Sequence, residues 1–219
     1  MMNHQLRAGL AFCFVGARPV FLDVTCDRYF TIQGSLESAF KEFVAGGDPT
    51  HESLDRLLRA NILETAGERP QVPAPPAIVA PRRSVIEEAR AGRRAGLAAT
   101  AKTAICLMRS RRRLRRDGFA RSIDRLRARK RHADETRHSF IEARAAEFQA
   151  ARCLFPAPPN CLPDSLALLD YLYDQGVVAD LVIGVRMDPY GAHCWVQTDE
   201  ALLNEAVDYT ASFTPILAA

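Results

Sequence analysis

The residues best suited to chemistry lie in the last third of the chain, and the first of them is a cysteine at the start of a predicted helix. In PPNCLPDSLALLDYLY (158–173), apolar side chains recur at helical spacing, at Leu162, Leu166, Leu169 and Tyr173. Asn160 is a suitable N-cap, and the two prolines before it end any preceding helix. Cys161 therefore lies in the first turn, where unpaired N–H groups and the helix dipole favour a thiolate over a thiol.

A histidine follows on a predicted strand. Residues 178–187 (VADLVIGVRM) form a continuous apolar run of strand length, and residues 192–197 (AHCWVQ) follow after a predicted turn. Successive side chains of a strand point to opposite faces, so His193 and Cys194 face apart. We therefore expect Cys194 to be neither a ligand nor the nucleophile.

A carboxylate follows the histidine at a spacing that a hairpin can bring together. The sequence TDE (198–200) predicts a three-residue turn into a further strand. In that register, position 197 faces position 201. His193 then lies beside Glu205 across the hairpin.

Cysteine, histidine and a carboxylate in this arrangement are the groups that a thiol nucleophile requires. The imidazole takes the thiol proton and later protonates a leaving amine, while the carboxylate fixes its tautomer and stabilises its charged form. A backbone N–H of the helix start can stabilise an oxyanion. The alternative is that Cys161 is a small apolar residue of the core.

Composition limits the class of protein. A chain of 219 residues with 48% hydrophobic residues can form one large domain or two small ones. No stretch approaches 18 apolar residues and the N-terminus lacks a signal-peptide pattern, so we expect a cytoplasmic location without membrane contact. The six cysteines form no CxxC pairs, which argues against a zinc ribbon or a disulfide scaffold. We expect reduced thiols, no metal and no cofactor.

The first 65 or so residues resemble a small independent module. Three short apolar and aromatic runs predict strands at 10–15, 19–24 and 28–33. Two amphipathic stretches predict helices at 36–47 and 51–63. Three strands followed by two or three helices indicate a winged-helix-like module of mixed α and β structure.

A proline-rich linker and a basic stretch separate this module from the candidate chemistry. Residues 66–83 contain five prolines and predict a semi-rigid linker. Residues 84–152 are alanine-rich and mostly helical by propensity. Within them, 109–131 hold twelve Arg or Lys against two Asp. Because basic helical faces are usually solvated and this one keeps apolar residues, we expect an acidic peptide or protein partner rather than nucleic acid.

The segment 160–207 resembles the transglutaminase-like cysteine protease of lasso peptide biosynthesis, the B protein. The likeness rests on Cys-Leu, Ser-Leu-Ala-Leu, IGV, AH-W-V and a final Asn-Glu where the family has Asn-Asp. The segment FLDVTCDRYFTIQGSLESAF (21–40) is similar to the precursor-recognition domain related to the peptide chaperone of pyrroloquinoline-quinone biosynthesis. Together they match the fused form of the B protein.

The resemblance implies an α+β protein of two domains. Residues 1–65 would be the leader-recognition domain, 66–83 the linker, and 84–219 a transglutaminase-like, papain-like protease domain with a helical lead-in at 84–152. The family nucleophile falls on Cys161 and the family base on His193. The third member is normally Asp, so Glu205 takes its place here and Asp208 is the alternative.

The resemblance also implies the substrate and the partners. The recognition domain would bind the leader of a ribosomally made lasso precursor as an added strand, and the protease would remove that leader. An asparagine-synthetase-like, ATP-dependent cyclase would then close the ring. The alternatives are a catalytically inactive scaffold that delivers the precursor to the cyclase and, third, a nucleic-acid-binding regulator. The implied leader contacts are on the third strand and the last helix of the module, at Arg28, Tyr29, Phe30, Thr31, Ile32, Gln33, Leu54, Leu57 and Leu58.

Overall fold

A computed structural model of the protein describes residues 4–47, 49–66, 74–88, 95–131 and 138–219. The chain divides into two compact units between Pro76 and Ala77. Both contain helices and strands, which confirms the predicted α+β class. Of the stretch assigned to the linker, 67–73 lie outside the described residues and 77–83 belong to the second unit. No helix in the described ranges is long and apolar enough to cross a membrane.

The first unit has the predicted strands and helices and a further strand pair that the sequence did not reveal. Its elements in chain order are β1 (His4–Leu6), β2 (Leu10–Val15), β3 (Arg18–Asp23), β4 (Arg28–Thr31), α1 (Ser35–Val44), α2 (His51–Arg59) and β5 (Leu63–Thr65). Strands β2, β3 and β4 form an antiparallel sheet in that order. Strands β1 and β5 pair separately, and at three residues each they are too short to show a periodicity.

Aromatic packing holds the first unit together. The rings of Phe12 and Phe21 approach Phe40 of α1 edge-on, at centroid distances of 5.0 and 4.8 Å. Leu57 of α2 is fully buried in the same core. The sheet therefore carries α1 and α2 on one apolar face.

The second unit is built on a mixed sheet with the strand order β10–β7–β8–β9–β6. All neighbours are antiparallel except β6 and β9, which are parallel. The elements in chain order are β6 (Arg83–Ser84), α3 (Val85–Glu88), α4 (Leu97–Arg131), α5 (His138–Arg152), α6 (Cys161–Tyr173), β7 (Asp180–Met187), β8 (Tyr190–Gln197), β9 (Ala201–Leu202), α7 (Val207–Thr210) and β10 (Thr214–Ala218).

Helix α6 is the central element of the second unit. It contacts β8 of the sheet as well as α4 and α5. Most of its middle is therefore buried, and Ala167, Leu168, Leu169 and Leu172 have no exposed surface. A helix held this firmly gives its first residue, Cys161, a fixed position at the edge of the core.

Helix α4 contains the basic run and consists of two helical segments. They meet at Gly118, whose φ of 81° is favourable only for glycine. Arg113 Nη1 lies 2.9 Å from Asp170 Oδ2 of α6, and Arg129 bonds to both Asp170 and Asp174. Part of the basic face is thus neutralised by α6 and is not simply solvated.

Candidate active site

Two of the predicted catalytic side chains are in direct contact. His193 of β8 has its Nε2 2.8 Å from Oε2 of Glu205, and both side chains are mostly buried. Asp208, the alternative carboxylate, is exposed on α7 and makes no hydrogen bond or ion pair with the described residues. The structure therefore brings Glu205, not Asp208, to the histidine.

The contact arises through a different register from the predicted one. Gln197 pairs with Leu202 rather than with position 201, so the tip of the turn has two residues and not three. Thr198 closes that turn, because its Oγ1 accepts hydrogen bonds from the N–H groups of Glu200 and Ala201. Strand β9 ends at Leu202, and Glu205 reaches His193 from the loop that follows.

Backbone and side-chain hydrogen bonds hold the loop that carries Glu205. Buried Ser84 of β6 donates its hydroxyl to the backbone oxygen of Glu205 at 2.7 Å. The N–H of Ala206 donates to Oε1 at 3.1 Å. Although burial opposes it, hydrogen bonds from His193 and from the Ala206 N–H lower the pKa of Glu205. Glu205 is thus an ionised carboxylate at neutral pH.

The turn that carries Cys161 is anchored by a carboxylate rather than by its N-cap side chain. Asn160 occupies the N-cap position, but its side chain makes no cap hydrogen bond. Its backbone N–H donates instead to Oδ2 of Asp164 at 3.1 Å. Arg152 binds the same oxygen at 2.9 Å, and Arg111 lies 3.4 Å from the other. This arrangement fixes the chain direction just before Cys161.

Cys161 is stabilised as a thiolate. The pKa of its thiol falls to about 4, chiefly through a hydrogen bond from the Cys194 side chain. Burial opposes this shift, while the His193 ring and the Cys194 backbone N–H add to it. The sulfur is only partly exposed, so these donors act with little competition from water.

His193 carries the complementary charge. Burial lowers its pKa, but hydrogen bonds with the Cys161 sulfur and with Glu205 outweigh burial and raise the pKa to about 9. Between the two values, cysteine and histidine form a thiolate–imidazolium pair. Such a pair is the reactive form of a cysteine nucleophile.

Cys194, expected from the sequence to be neither a ligand nor the nucleophile, affects the pKa of Cys161. Its side chain does point away from His193, but that face of β8 packs on α6, whose first residue is Cys161. The interaction with Cys161, together with burial, raises the pKa of Cys194 well above its usual range, so the Cys194 thiol is neutral, and its Sγ lies 3.9 Å from Oγ of Ser165. The apolar residues of α6 were the sequence signal for this packing. A helix rich in apolar residues packs on one face of a sheet, and Cys161 is the first residue of this helix.

A buried polar network ties α6 to the sheet beneath the cysteine. Ser165, which has no exposed surface, accepts a hydrogen bond from Nδ2 of Asn204 at 2.9 Å. The Oδ1 of Asn204 accepts from the backbone N–H of Val196 at 2.7 Å. The network fixes both the helix and the loop that precedes Glu205.

Aromatic side chains enclose the histidine ring. Tyr209 and Phe213 approach it edge-on and tilted, at centroid distances of 5.0 and 5.6 Å, and Trp195 lies 6.3 Å away. Gly184 of β7 makes this packing possible. A Cβ at Gly184 would lie 2.8 Å from atoms of both Trp195 and Phe213.

The predicted peptide-binding residues of the first unit differ in their exposure to solvent. Arg28, Thr31 and Gln33 are exposed, and Tyr29, Phe30, Leu54 and Leu58 are partly buried. Ile32 and Leu57 belong to the core. Strand β4 lies at one end of its three-stranded sheet, with no further described strand beside it.

Comparison with known proteins assigns a family to the second unit. No curated protein and no solved structure is significantly similar to the chain. Within the described ranges, no group of three or more His, Cys, Asp or Glu side chains could hold a metal ion. A family model described as the transglutaminase-like superfamily matches residues 104–218, just over half of the chain, and spans Cys161, His193 and Glu205. The chain therefore belongs to the transglutaminase-like superfamily.

Proposed function

We propose that the protein is a cysteine peptidase in which Cys161 is the nucleophile, His193 the general acid and base, and Glu205 the group that orients the histidine. The observation that carries the proposal is the pairing of a low-pKa thiol with a high-pKa imidazole that is itself held 2.8 Å from a carboxylate. A structural cysteine needs neither partner.

The geometry supports an acyl-transfer sequence. The Cys161 thiolate attacks a peptide carbonyl, and the N–H groups at the start of α6 are available to the developing oxyanion because a helix gives them no internal acceptor. The His193 imidazolium then protonates the leaving amine, and a thioester remains on Cys161. His193, now neutral, takes a proton from water as the water attacks the thioester. Glu205 orients the ring throughout and stabilises its charged form before amine release and after water attack.

For the substrate, we propose the leader of a lasso peptide precursor, captured by the first unit. Strand β4 ends its sheet, so a peptide can add there through backbone hydrogen bonds. The side chains of the bound leader would contact Phe30, Leu54 and Leu58, which are partly buried and pack against the core of the first unit. Leu57 supports that surface from beneath. The separated core peptide would pass to an asparagine-synthetase-like cyclase.

Incubation of the full chain with a lasso precursor, read by mass spectrometry, tests the proposal. We expect one cut that releases the leader, and no cut with Cys161→Ala or His193→Ala. Substantial cleavage by either variant would rule out the proposed chemistry. An inactive scaffold, the other candidate, would bind the precursor without cutting it, and its Cys161 would react with iodoacetamide no faster than an ordinary thiol.

A further inference from the structure

A groove of about 320 Å³ lies beside the first turn of α6. One wall is the basic helix α4 and the other is the segment that leads into α6. The lining residues are Arg111, Leu114, Arg115, Pro158, Pro159, Asn160 and Pro163. A second hollow, of about 440 Å³, continues along α4 past Arg112 and shares Arg111 and Arg115 with the first. The groove is therefore lined by cationic and apolar groups.

The positive charge of the groove is only partly neutralised by the protein itself, because Arg111 pairs with Asp164 at 3.4 Å but some other arginines of α4 lack such a partner among the residues that the structure describes. Arg113 and Arg129 of the same helix are paired with carboxylates of α6. Arg112 and Arg115, in contrast, are exposed and have no ion-pair partner within the described ranges. Arg111 does bind the Pro158 carbonyl, yet its buried Nε–H has no acceptor. The unpaired charge of Arg112 and Arg115 favours an anionic ligand.

The groove reaches the first turn of α6, although Cys161 itself is not among its lining residues. Asn160 and Pro163 line it, and Cys161 lies between them in the sequence. One helical turn rises about 5.4 Å, and an extended peptide advances about 3.3 Å per residue. A side chain in the groove would thus belong to a residue about one to three positions from the bond at Cys161.

We propose that this groove is a specificity subsite for an acidic side chain of the peptide that Cys161 attacks. Arg115 is the principal partner of the carboxylate, Arg112 extends the positive field, and Leu114 and the prolines contact the apolar stem of the side chain. The inference rests on the proposed peptidase function, because it assigns the substrate class of that site. The preferred substrate therefore carries Asp or Glu close to the scissile bond.

Alkylation of Cys161 tests the subsite without requiring turnover. The probes are iodoacetyl-Gly-Glu amide and iodoacetyl-Gly-Gln amide. With each, the thiolate forms a C–S bond as the C–I bond breaks and iodide leaves. Peptide mass spectrometry of the full chain follows Cys161, and exposed Cys26 of the first unit serves as the internal reference. After that correction, we expect the Glu probe to label Cys161 about threefold faster, with the difference falling as salt is raised.

Two variants of exposed arginines on α4 complete the test. Arg115→Gln, alone or with Arg112→Gln, should bring the ratio of the two rates to about one. Arg121→Gln removes an equally exposed arginine that does not line the groove, and it should leave the ratio unchanged. Equal rates in the wild type, an unchanged ratio in the double variant, or an equal loss in Arg121→Gln would each overturn the subsite.

The outcomes separate the subsite from the peptidase. A wild-type preference for the Glu probe without cleavage of any peptide would support the subsite and count against the peptidase. Cleavage combined with equal labelling by the two probes would overturn the subsite alone. No labelling of Cys161 by either probe would overturn both, because the groove would not open onto a thiolate.

Discussion

His193 and Cys194, on opposite faces of strand β8, both lower the pKa of Cys161. His193 approaches from the face that carries Trp195, and Cys194 from the face that packs on α6. Adjacent residues of a strand ordinarily cannot serve one site, because their side chains diverge. Here Cys161 begins a helix that packs on β8, and both residues affect its thiol.

The pH dependence of the reaction should show the ion pair of the Cys161 thiolate and the His193 imidazolium directly. Cleavage requires the Cys161 thiolate and the His193 imidazolium, so kcat/KM should rise near pH 4 and fall near pH 9. Alkylation by iodoacetamide requires only the thiolate, so it should rise near pH 4 and show no alkaline fall. Stopped assays across this range measure both. An alkylation rate that first rises above neutral pH would mean that Cys161 is an ordinary thiol.

Cys194→Ala should raise the pKa of Cys161. The Cys194 thiol is the largest of the groups that lower that pKa, while its backbone N–H is unaffected by the substitution. We expect the acid limb of Cys161 alkylation to move to higher pH, with the folded state retained. Cys106→Ala, a change at another buried cysteine, is the matched control and should leave the limb in place. An unchanged limb in Cys194→Ala would contradict the assigned role of the Cys194 thiol.

Glu205→Gln should lower kcat by about 100-fold or more without unfolding the protein, because an amide cannot stabilise an imidazolium as a carboxylate does. The neutral side chain should also lower the pKa of His193, which moves the alkaline limb of kcat/KM to lower pH. Asp208→Asn is the matched control and should have wild-type kinetics. A larger loss in Asp208→Asn than in Glu205→Gln would assign the carboxylate role to Asp208.

The secondary-structure elements that can be predicted from the sequence are those whose burial produces a local pattern of apolar residues. The leucines of α6 and the apolar run of β7 indicate their elements because each is buried along its length. Strand β9 has only two residues and depends on β6, whose Ser84 reaches Glu205 across 121 positions. No local pattern encodes such a contact. The register at β8 therefore differed by one residue, although the histidine and the glutamate were correctly paired.

Helix α4 should stabilise the second unit through its ion pairs with α6. Asp170 accepts from both Arg113 and Arg129 and is mostly buried, so Asp170→Asn removes the carboxylate of Arg113 and one of the two carboxylates of Arg129. We expect a loss of about 2 kcal/mol in the free energy of unfolding, measured by urea denaturation. Asp124→Asn, a change at an exposed carboxylate of α4 that has no ion-pair partner among the described residues, should cost less than about 0.5 kcal/mol. Equal effects would mean that the pairing contributes nothing specific.

The two units have separate cores, and the second unit begins earlier than the proline content suggests. Ile78 packs against the cluster of Trp195, and the Val79 carbonyl accepts a hydrogen bond from buried Gln197. The sequence analysis could not reveal this, because residues 66–83 contain no periodicity that marks a packed strand. A functional division of the chain should therefore be made between Pro76 and Ala77, not at Ser84.

Removal of the first unit should separate capture of the precursor from the chemical step. A chain of residues 77–219 keeps Ile78 and Val79 as well as Cys161, so we expect wild-type alkylation by iodoacetamide. Its KM for a lasso precursor should rise by about 100-fold or more with kcat nearly unchanged, because the first unit raises the effective concentration of the scissile bond. Initial rates over a range of precursor concentrations, with both chains, measure the two constants. A loss confined to kcat would show that the first unit acts on the catalytic groups rather than on the leader.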